Sequence, residues 1–404
     1  MQPTPLADVF KQLRYQIAHL EDATLASEYP ELDRFLSKLQ SDIPTVRDEL
    51  LFIFRFLSVY GRKSEGTFNR FRNEIERFSL WAWLYTGQSV FFLKREDIEA
   101  YTDFVIEPKD SWCSSSVQWR FKEENGRRIV NGNWRPFIKK DIQASQQTLS
   151  AMFTALNVFY KFAILEEQTF TNFVPVVKKN SPYLVVQSQI NTPDTLSNLQ
   201  WEYVFNVTKE KCAEEPAFER NLFILACLKG LYLRVSELSE RAHWSPVMSH
   251  FWQDSDGFWF FRVMGKGNKL RDVTLSEEVV TYLKRYRLYR GLSVLPRVDE
   301  PYPVIHKLRG KGGMTVRQLR RLVQDSFDLA QLTLLEDGFV EEAEQLSAAT
   351  THWLRHTGAT HDAHTRPLKH LSEDLGHAKI ATTDQIYIQT NIKERAISGQ
   401  KRKL

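Results

Sequence analysis

Four side chains near the end of this sequence have the types and spacing to do chemistry. In the run Thr351-His-Trp-Leu-Arg-His-Thr-Gly-Ala-Thr-His361, His352 and Arg355 stand three apart, which puts both on one face of a helix. A Leu375-Gly376 break then presents His377, and Tyr387 follows as the only tyrosine after Tyr302. A guanidinium keeps its charge and donates paired hydrogen bonds to an oxyanion. An imidazole gives or takes a proton near neutral pH. A phenol, with an ordinary pKa near 10, attacks at neutral pH only in a cationic surround. Together these groups suit an oxygen nucleophile acting on an anionic phosphorus centre.

The same stretch holds six of the ten histidines, so a metal site is the competing reading. His352 and His356 are spaced i, i+4, and His361 and His364 i, i+3; both spacings are usable by ligands. No glutamate follows His352 as a metalloprotease requires, and Arg355 between the pair repels a cation. The expectation is therefore no metal and no cofactor, with activity that survives a chelator.

Other elements must bring partners to this stretch. An apolar helix through Leu222–Leu228 breaks at Gly230 and delivers Arg234, then Glu237. Phe258–Met264 and Leu270–Leu275 flank Gly265-Lys-Gly-Asn-Lys269, the pattern of a hairpin with Lys266 and Lys269 on its turn. The glycines there do not complete a P-loop, which sets nucleotide hydrolysis aside. Thr315–Leu329 reads as a helix with Arg317, Arg320 and Arg321 on a basic face, and Gln331–Leu346 as an acidic surface segment.

Upstream the chain reads as helical. Val9, Leu13, Ile17 and Leu20 are spaced for one apolar face within residues 1–40. Helices are predicted over Val46–Tyr60, over Ser64–Gly87 with Ser64 and Gly87 as caps, from Lys94, and over Ser145–Glu167. Between the last two lies a basic segment, Lys109 to Ala144. It carries Arg120, Lys122, Arg127, Arg128, Arg135, Lys139 and Lys140, interleaved with Trp112, Trp119, Trp134 and Phe137. Asn125-Gly126 and Asn131-Gly132 are turn signals, so a β-hairpin is expected. Such a hairpin can hold a phosphate backbone and wedge against bases; the alternative is a solvated hairpin with its tryptophans packed beneath. Val177–Pro193 reads as an extended connector.

At 404 residues, with 26% charged and 42% hydrophobic, the chain has the composition of two or three ordinary globular domains. A net charge of +4 permits nucleic-acid binding, and local clustering has to carry that argument. Cys113, Cys212 and Cys227 have no repeated spacing, which argues against a disulfide framework and a zinc ribbon. The start Met1-Gln-Pro-Thr-Pro5 is not a secretory signal, and no uninterrupted apolar run approaches bilayer length. A cytoplasmic protein without membrane contact is expected.

The motifs closely resemble those of the tyrosine recombinases of phage-integrase type, read as His-x-Leu-Arg-His-Thr, then Leu-Gly-His, then Thr-Thr-x-x-Tyr. Leu233-Arg-Val-Ser-Glu-Leu238 is similar to the segment that supplies that family's first catalytic arginine, and Lys266 to its hairpin lysine. The resemblance implies a mainly α fold with a small β-sheet: a helical, SAM-like core-binding domain and an α+β catalytic domain. It assigns residues 1–40 to an N-terminal extension, 41–180 to the core-binding domain with the 109–144 hairpin inserted, 181–194 to a linker and 195–404 to the catalytic domain and its tail. It implies site-specific cutting and rejoining of double-stranded DNA. In that reaction Arg234, Arg355 and His377 bind the phosphate, His352 takes the proton of Tyr387, and Lys266 protonates the leaving 5′ oxygen. It implies a covalent 3′-phosphotyrosine, a tetramer working through a Holliday junction, and accessory DNA-bending or directionality proteins as further partners. Arg70, Arg72, Arg77, Arg127, Arg128, Arg135, Lys139, Lys140 and Lys269 are the expected DNA contacts. Departures from the pattern are visible: one extra residue between His377 and Tyr387, a glycine two residues further from Arg234, and Arg366 near a turn that is often glycine. A type IB topoisomerase and a non-catalytic DNA-binding protein of the same fold are the alternatives. The basic end, 391–404, is expected to dock on a neighbouring protomer or to add phosphate contacts as a disordered tail.

Overall fold

The computed structural model describes residues 3–6, 29–61, 65–124, 127–139, 144–184, 194–241, 244–265, 267–377 and 400. The chain divides into two compact units, Met1–Ser188 and Gln189–Leu404.

The first unit opens with α1 (Pro30–Leu39), which has proline in its first turn and Glu31 and Asp33 at its electropositive end. Its Leu32, Phe35, Leu36 and Leu39 are buried at helical spacing. Next come α2 (Val46–Gly61) and α3 (Glu65–Trp81); a π-helical turn, Ala82–Thr86, extends α3 to Gly87. Gly87 ends it at φ +65°, a left-handed conformation that lacks a steric cost only for glycine. α4 (Arg95–Ile106) starts where the Asp97 carboxylate accepts from the Lys94 amide at 2.7 Å. The predicted stripe Val9–Leu20 and the cap at Ser64 lie outside the described residues.

The inserted segment forms β1 (Cys113–Ser114), β2 (Phe121–Glu124), β3 (Arg127–Val130) and β4 (Phe137–Ile138). β2 and β3 pair antiparallel, Phe121 opposite Val130 and Glu124 opposite Arg127, and β1 pairs parallel with β4. α5 (Gln146–Leu165), capped by Ser145, and α6 (Val174–Asn180) follow. Among the described residues, α5 is the one helix long and apolar enough to cross a membrane. Its Leu149, Met152, Phe153, Leu156 and Phe159 nevertheless lie in a shared core with Phe52, Phe56, Phe78 and Trp81, so it packs as a core helix.

The hairpin is present, but its aromatic residues face inward. Trp112, Trp134 and Phe137 are buried, and only Trp119 of the four, 85% exposed, stands clear. Of the two readings of this segment, the one with tryptophans packed beneath holds for Trp112 and Trp134, and Trp119 alone of the four aromatics is left to reach a base. Arg77, expected at the DNA, is instead a tie within the unit. Its Nε donates to the Pro136 carbonyl at 2.8 Å, it pairs with Glu74, and it lies over the Phe137 ring. Arg120 makes a two-pronged bond to Glu76, and its guanidinium lies over Trp134. Arg135 donates to the Gly132 and Trp134 carbonyls, and Lys139 pairs with Asp110. Arg70 is exposed and Arg72 half-buried; Lys140 and the side chains of Arg127 and Arg128 lie outside the described residues.

The second unit begins with α7 (Asn198–Glu214), held by a reciprocal cap between Ser197 and Gln200. α8 (Glu219–Gly230) is buried from Arg220 to Leu228. A three-stranded antiparallel meander follows: β5 (Phe251–Gln253), β6 (Trp259–Met264) and β7 (Leu270–Thr274). The helices α9 (Glu277–Tyr289), α10 (Val316–Glu336), α11 (Val340–Ser347), α12 (Thr351–Asp362) and α13 (Leu368–Leu375) complete it. The core gathers Leu225, Leu228, Phe261, Val273, Leu319 and Leu354 from five of these elements. α12 lies backbone-to-backbone on α8. A Cβ at Gly358 would come within 2.1 Å of the Lys229 carbonyl oxygen, so only glycine fits there.

Candidate active site

Arg234 caps a single 3-10 turn, Val235–Glu237, just after the end of α8. The Glu237 carboxylate accepts from the Arg234 amide at 2.8 Å and from its Nη1 at 3.3 Å. Glu237 is only 1% exposed, and a second guanidinium shares it: Arg271, on β7, donates to its two oxygens at 2.7 and 3.0 Å. Burial opposes the charge of Glu237, yet Arg271 and then Arg234 hold its carboxyl below the usual range. Arg271 also donates through Nε to the Asp374 carbonyl at 2.8 Å, which ties the hairpin to the end of α13. One carboxylate thus positions two arginines and neutralises one charge.

Arg355, on α12, is 1% exposed. Its Nη1 donates to the Tyr232 carbonyl and its Nη2 to the Leu375 carbonyl at 2.8 Å. These acceptors orient the guanidinium without cancelling its charge. Tyr232 lies at φ +50°, left-handed, which turns its carbonyl toward α12. At the other end, Gly376 (φ +66°) reverses the chain after α13 and presents His377.

His352 and His377 both feel this charge. Burial, then Arg355 and Arg234, hold the His352 imidazole below its ordinary pKa. For His377, burial and then Arg355, Arg234 and Arg271 bring the value down to about 4. His356, one turn beyond His352 with ring centroids 4.3 Å apart, is likewise held down to about 4, by burial and then by His352 and Arg355. All three are shifted toward the neutral form: the arginines carry the charge, and the imidazoles are left to accept or share protons. Among the described residues no three His, Cys, Asp or Glu side chains are grouped to hold a metal ion.

Residues 200–394 match the profile of the phage integrase family. The tyrosine recombinase XerD of Rickettsia conorii is 27% identical over 279 residues, 67% of this chain and 83% of that protein. XerD of Proteus mirabilis is 26% identical over 78% of this chain and 87% of its own length. Residues 200–394 thus form a phage integrase family domain, and the chain is similar to tyrosine recombinases. Among solved structures, the XerH site-specific recombinase bound to a palindromic difH substrate aligns over 100% of both chains with a TM-score of 0.58. The Tn1549 transposon integrase with circular intermediate DNA aligns over 87% of this chain and 98% of its own with a TM-score of 0.53. At 15% identity in each case, these two establish a shared fold.

In this recombinase, then, four expected site residues, Arg234, His352, Arg355 and His377, are brought together from three separate stretches of chain. Lys266 and Tyr387 lie outside the described residues; Lys269, exposed, sits on the hairpin turn beside the first of them. Sequence reasoning passed over Arg271 and Tyr232, and it read His356 only as a possible metal ligand and Arg366 only as a departure at a turn. On β7, Arg271 shares the face of Val273, which enters the core, so the strand's alternation turns it inward. Nothing in local spacing pointed to Tyr232, because its part is played by a backbone carbonyl.

Proposed function

We propose that this recombinase cuts and rejoins double-stranded DNA at a specific site through Tyr387, using the six residues Arg234, Lys266, His352, Arg355, His377 and Tyr387. The observation that carries the reading is the convergence of Arg234 and Arg355 beside two neutral imidazoles. Arg234 shares the Glu237 carboxylate with Arg271, Arg355 is held by two neutral carbonyls, and the positive charge of both arginines acts on His352 and His377. Phosphoryl transfer needs that charge as the non-bridging oxygens gain electron density. The Tyr387 oxygen forms a bond to phosphorus while its proton passes to the neutral imidazole of His352. The bond to the 5′ oxygen breaks, and that oxygen takes its electron pair and a proton from Lys266. The 3′-phosphotyrosine conserves the ester, so the 5′-hydroxyl of a second strand reverses the step without metal or nucleotide.

Residues 41–180 serve as a second DNA-binding domain in this reading, with 181–194 as linker and 195–404 as catalytic domain. Arg70 and Lys269, both exposed, are the most available of the expected phosphate contacts. Assembly is as a homotetramer acting through a Holliday junction, beside the chromosome, with accessory proteins setting direction.

Incubation with a random-sequence duplex library, followed by sequencing of covalently trapped fragments, tests this directly. One recurrent site is expected, and Tyr387→Phe should bind it without forming the adduct. An adduct that persists in Tyr387→Phe overturns the assignment. Adducts spread over all sequences, with supercoil relaxation and no strand exchange, would place the chain with relaxing enzymes instead.

A further inference from the structure

The two carbonyls that hold Arg355 belong to segments far apart in the sequence, the turn at Tyr232 and the end of α13 at Leu375. A side-chain bridge joins those same segments. Arg366 Nη1 donates to the Tyr232 hydroxyl at 3.0 Å, and Nη2 donates to Asp374 Oδ2 at 2.7 Å, one residue before Leu375. The Tyr232 hydroxyl in turn donates to the Asp362 carboxylate at the last turn of α12, and the Arg366 guanidinium lies over the Tyr232 ring. Asp374 is 5% exposed and also accepts from the Thr274 amide on β7. The bridge therefore runs around Arg355, linking both of its backbone acceptors to the helix that carries it.

Tyr232 has a second claim. A residue with a Cβ occupies the left-handed region only where its surroundings hold it there. Here the ring is 2% exposed and its hydroxyl is bonded on two sides. The side-chain bonds and the backbone conformation that aims the carbonyl are one device.

We propose that Tyr232 and Arg366 are positioning residues, a brace that sets the separation of the two carbonyls and thereby aims the Arg355 guanidinium. This rests on the reading in which Arg355 binds the scissile phosphate; neither brace residue touches the reacting atoms. The brace borders a cavity of about 450 Å³ shared with Trp201, Lys229 and His361, so a shortened side chain there opens onto space rather than collapsing the core.

The test uses the full-length protein with Tyr232→Phe, Arg366→Ala, the double variant and Arg355→Ala as control. On the duplex recovered by covalent capture, each brace variant should slow single-turnover cleavage roughly 10- to 100-fold, the scale of a misplaced catalytic group, with DNA affinity near parental. Arg366→Ala should also lower the melting temperature, because Asp374 stays buried without its partner, so cleavage is read well below that transition. The double variant should be no slower than the slower single one, because both break the same bridge. A duplex with methylphosphonate at the scissile position lacks one charged oxygen. On it the deficit of the brace variants should shrink together with that of Arg355→Ala. Parental cleavage by both brace variants, or a deficit undiminished on methylphosphonate, overturns the brace. Parental cleavage by Arg355→Ala instead overturns the reading of Arg355 itself. Without DNA, arginine-selective nitrogen-15 NMR should show faster proton exchange at the Arg355 guanidinium in Arg366→Ala; an unchanged rate counts against the proposal.

Discussion

Arg120 in the first unit and Arg355 in the second are both arginines drawn into protein, yet they are held in opposite ways. Arg120 meets a buried carboxylate, Glu76, and the pair is neutral, fastening the inserted hairpin to α3. Arg355 donates to two carbonyls, neutral acceptors that orient it and bring no counter-charge of their own. Arg234 is intermediate, since it shares Glu237 with Arg271. The difference teaches that an arginine's task is written in its counterions. A carboxylate of its own makes a structural tie, whereas shared or neutral acceptors leave a field that a phosphate can enter.

The contrast breaks most sharply by substitution. Arg355→Ala should lower the single-turnover cleavage rate about 10²- to 10³-fold, the loss seen when one donor to a developing oxyanion is removed. Arg120→Ala should leave the cleavage rate per bound complex unchanged while costing about 3 kcal/mol of stability, because Glu76 stays buried without its partner. Urea titration and single-turnover assays separate the two; a cleavage defect in Arg120→Ala at full occupancy would erase the distinction.

Acid sharpens it next. The imidazoles of His356 and His377 take up a proton near pH 4 in the folded second unit, against 6.5 ordinarily. Between those values the unfolded chain binds more protons than the folded one, so stability falls as pH drops from 6.5 toward 4. The first unit contains a single histidine, His19, and lacks this sensitivity from clustered imidazoles. His377→Asn should reduce the acid-induced loss in melting temperature by roughly 2–4 °C, on the scale of a 1 kcal/mol change. An equal loss in parent and variant would show that the field at His377 is not what holds it neutral.

The smallest expected effect lies within α3. Exposed Arg70, as a phosphate contact, should on replacement by alanine lower the slope of log affinity against log salt by about 0.9. Arg77→Ala should leave that slope in place and lower stability instead, since its guanidinium serves Pro136, Glu74 and Phe137.

Much of this was legible in residue order. The apolar run of α8, the hairpin at 259–274 and the His-x-x-Arg face of α12 are local, and Gly230 and Gly87 marked the ends of α8 and of the helix extending α3 as read. What escaped was non-local. That Arg77 would turn inward depended on Pro136 and Phe137, far along the chain. That Trp112 and Trp134 would pack rather than project depended on the surface beneath them. The position two residues before Arg234 read as a displaced glycine; the structure instead keeps a left-handed turn there, with Tyr232 carrying it. The bonds that make this tenable come from Asp362 and Arg366, and no window around Tyr232 contains them.

The contact at Gly358 bears on any attempt to retarget this enzyme to a new DNA site. With the backbone of α12 pressed on the carbonyl of Lys229, the two helices form a seam with no slack. A library that varies position 358 will discard nearly every member at the folding step, whatever its DNA preference. Diversity placed on the exposed faces, around Arg70, Arg317, Arg320 and Lys269, leaves that seam alone and can drift in specificity while the reaction centre stays in register.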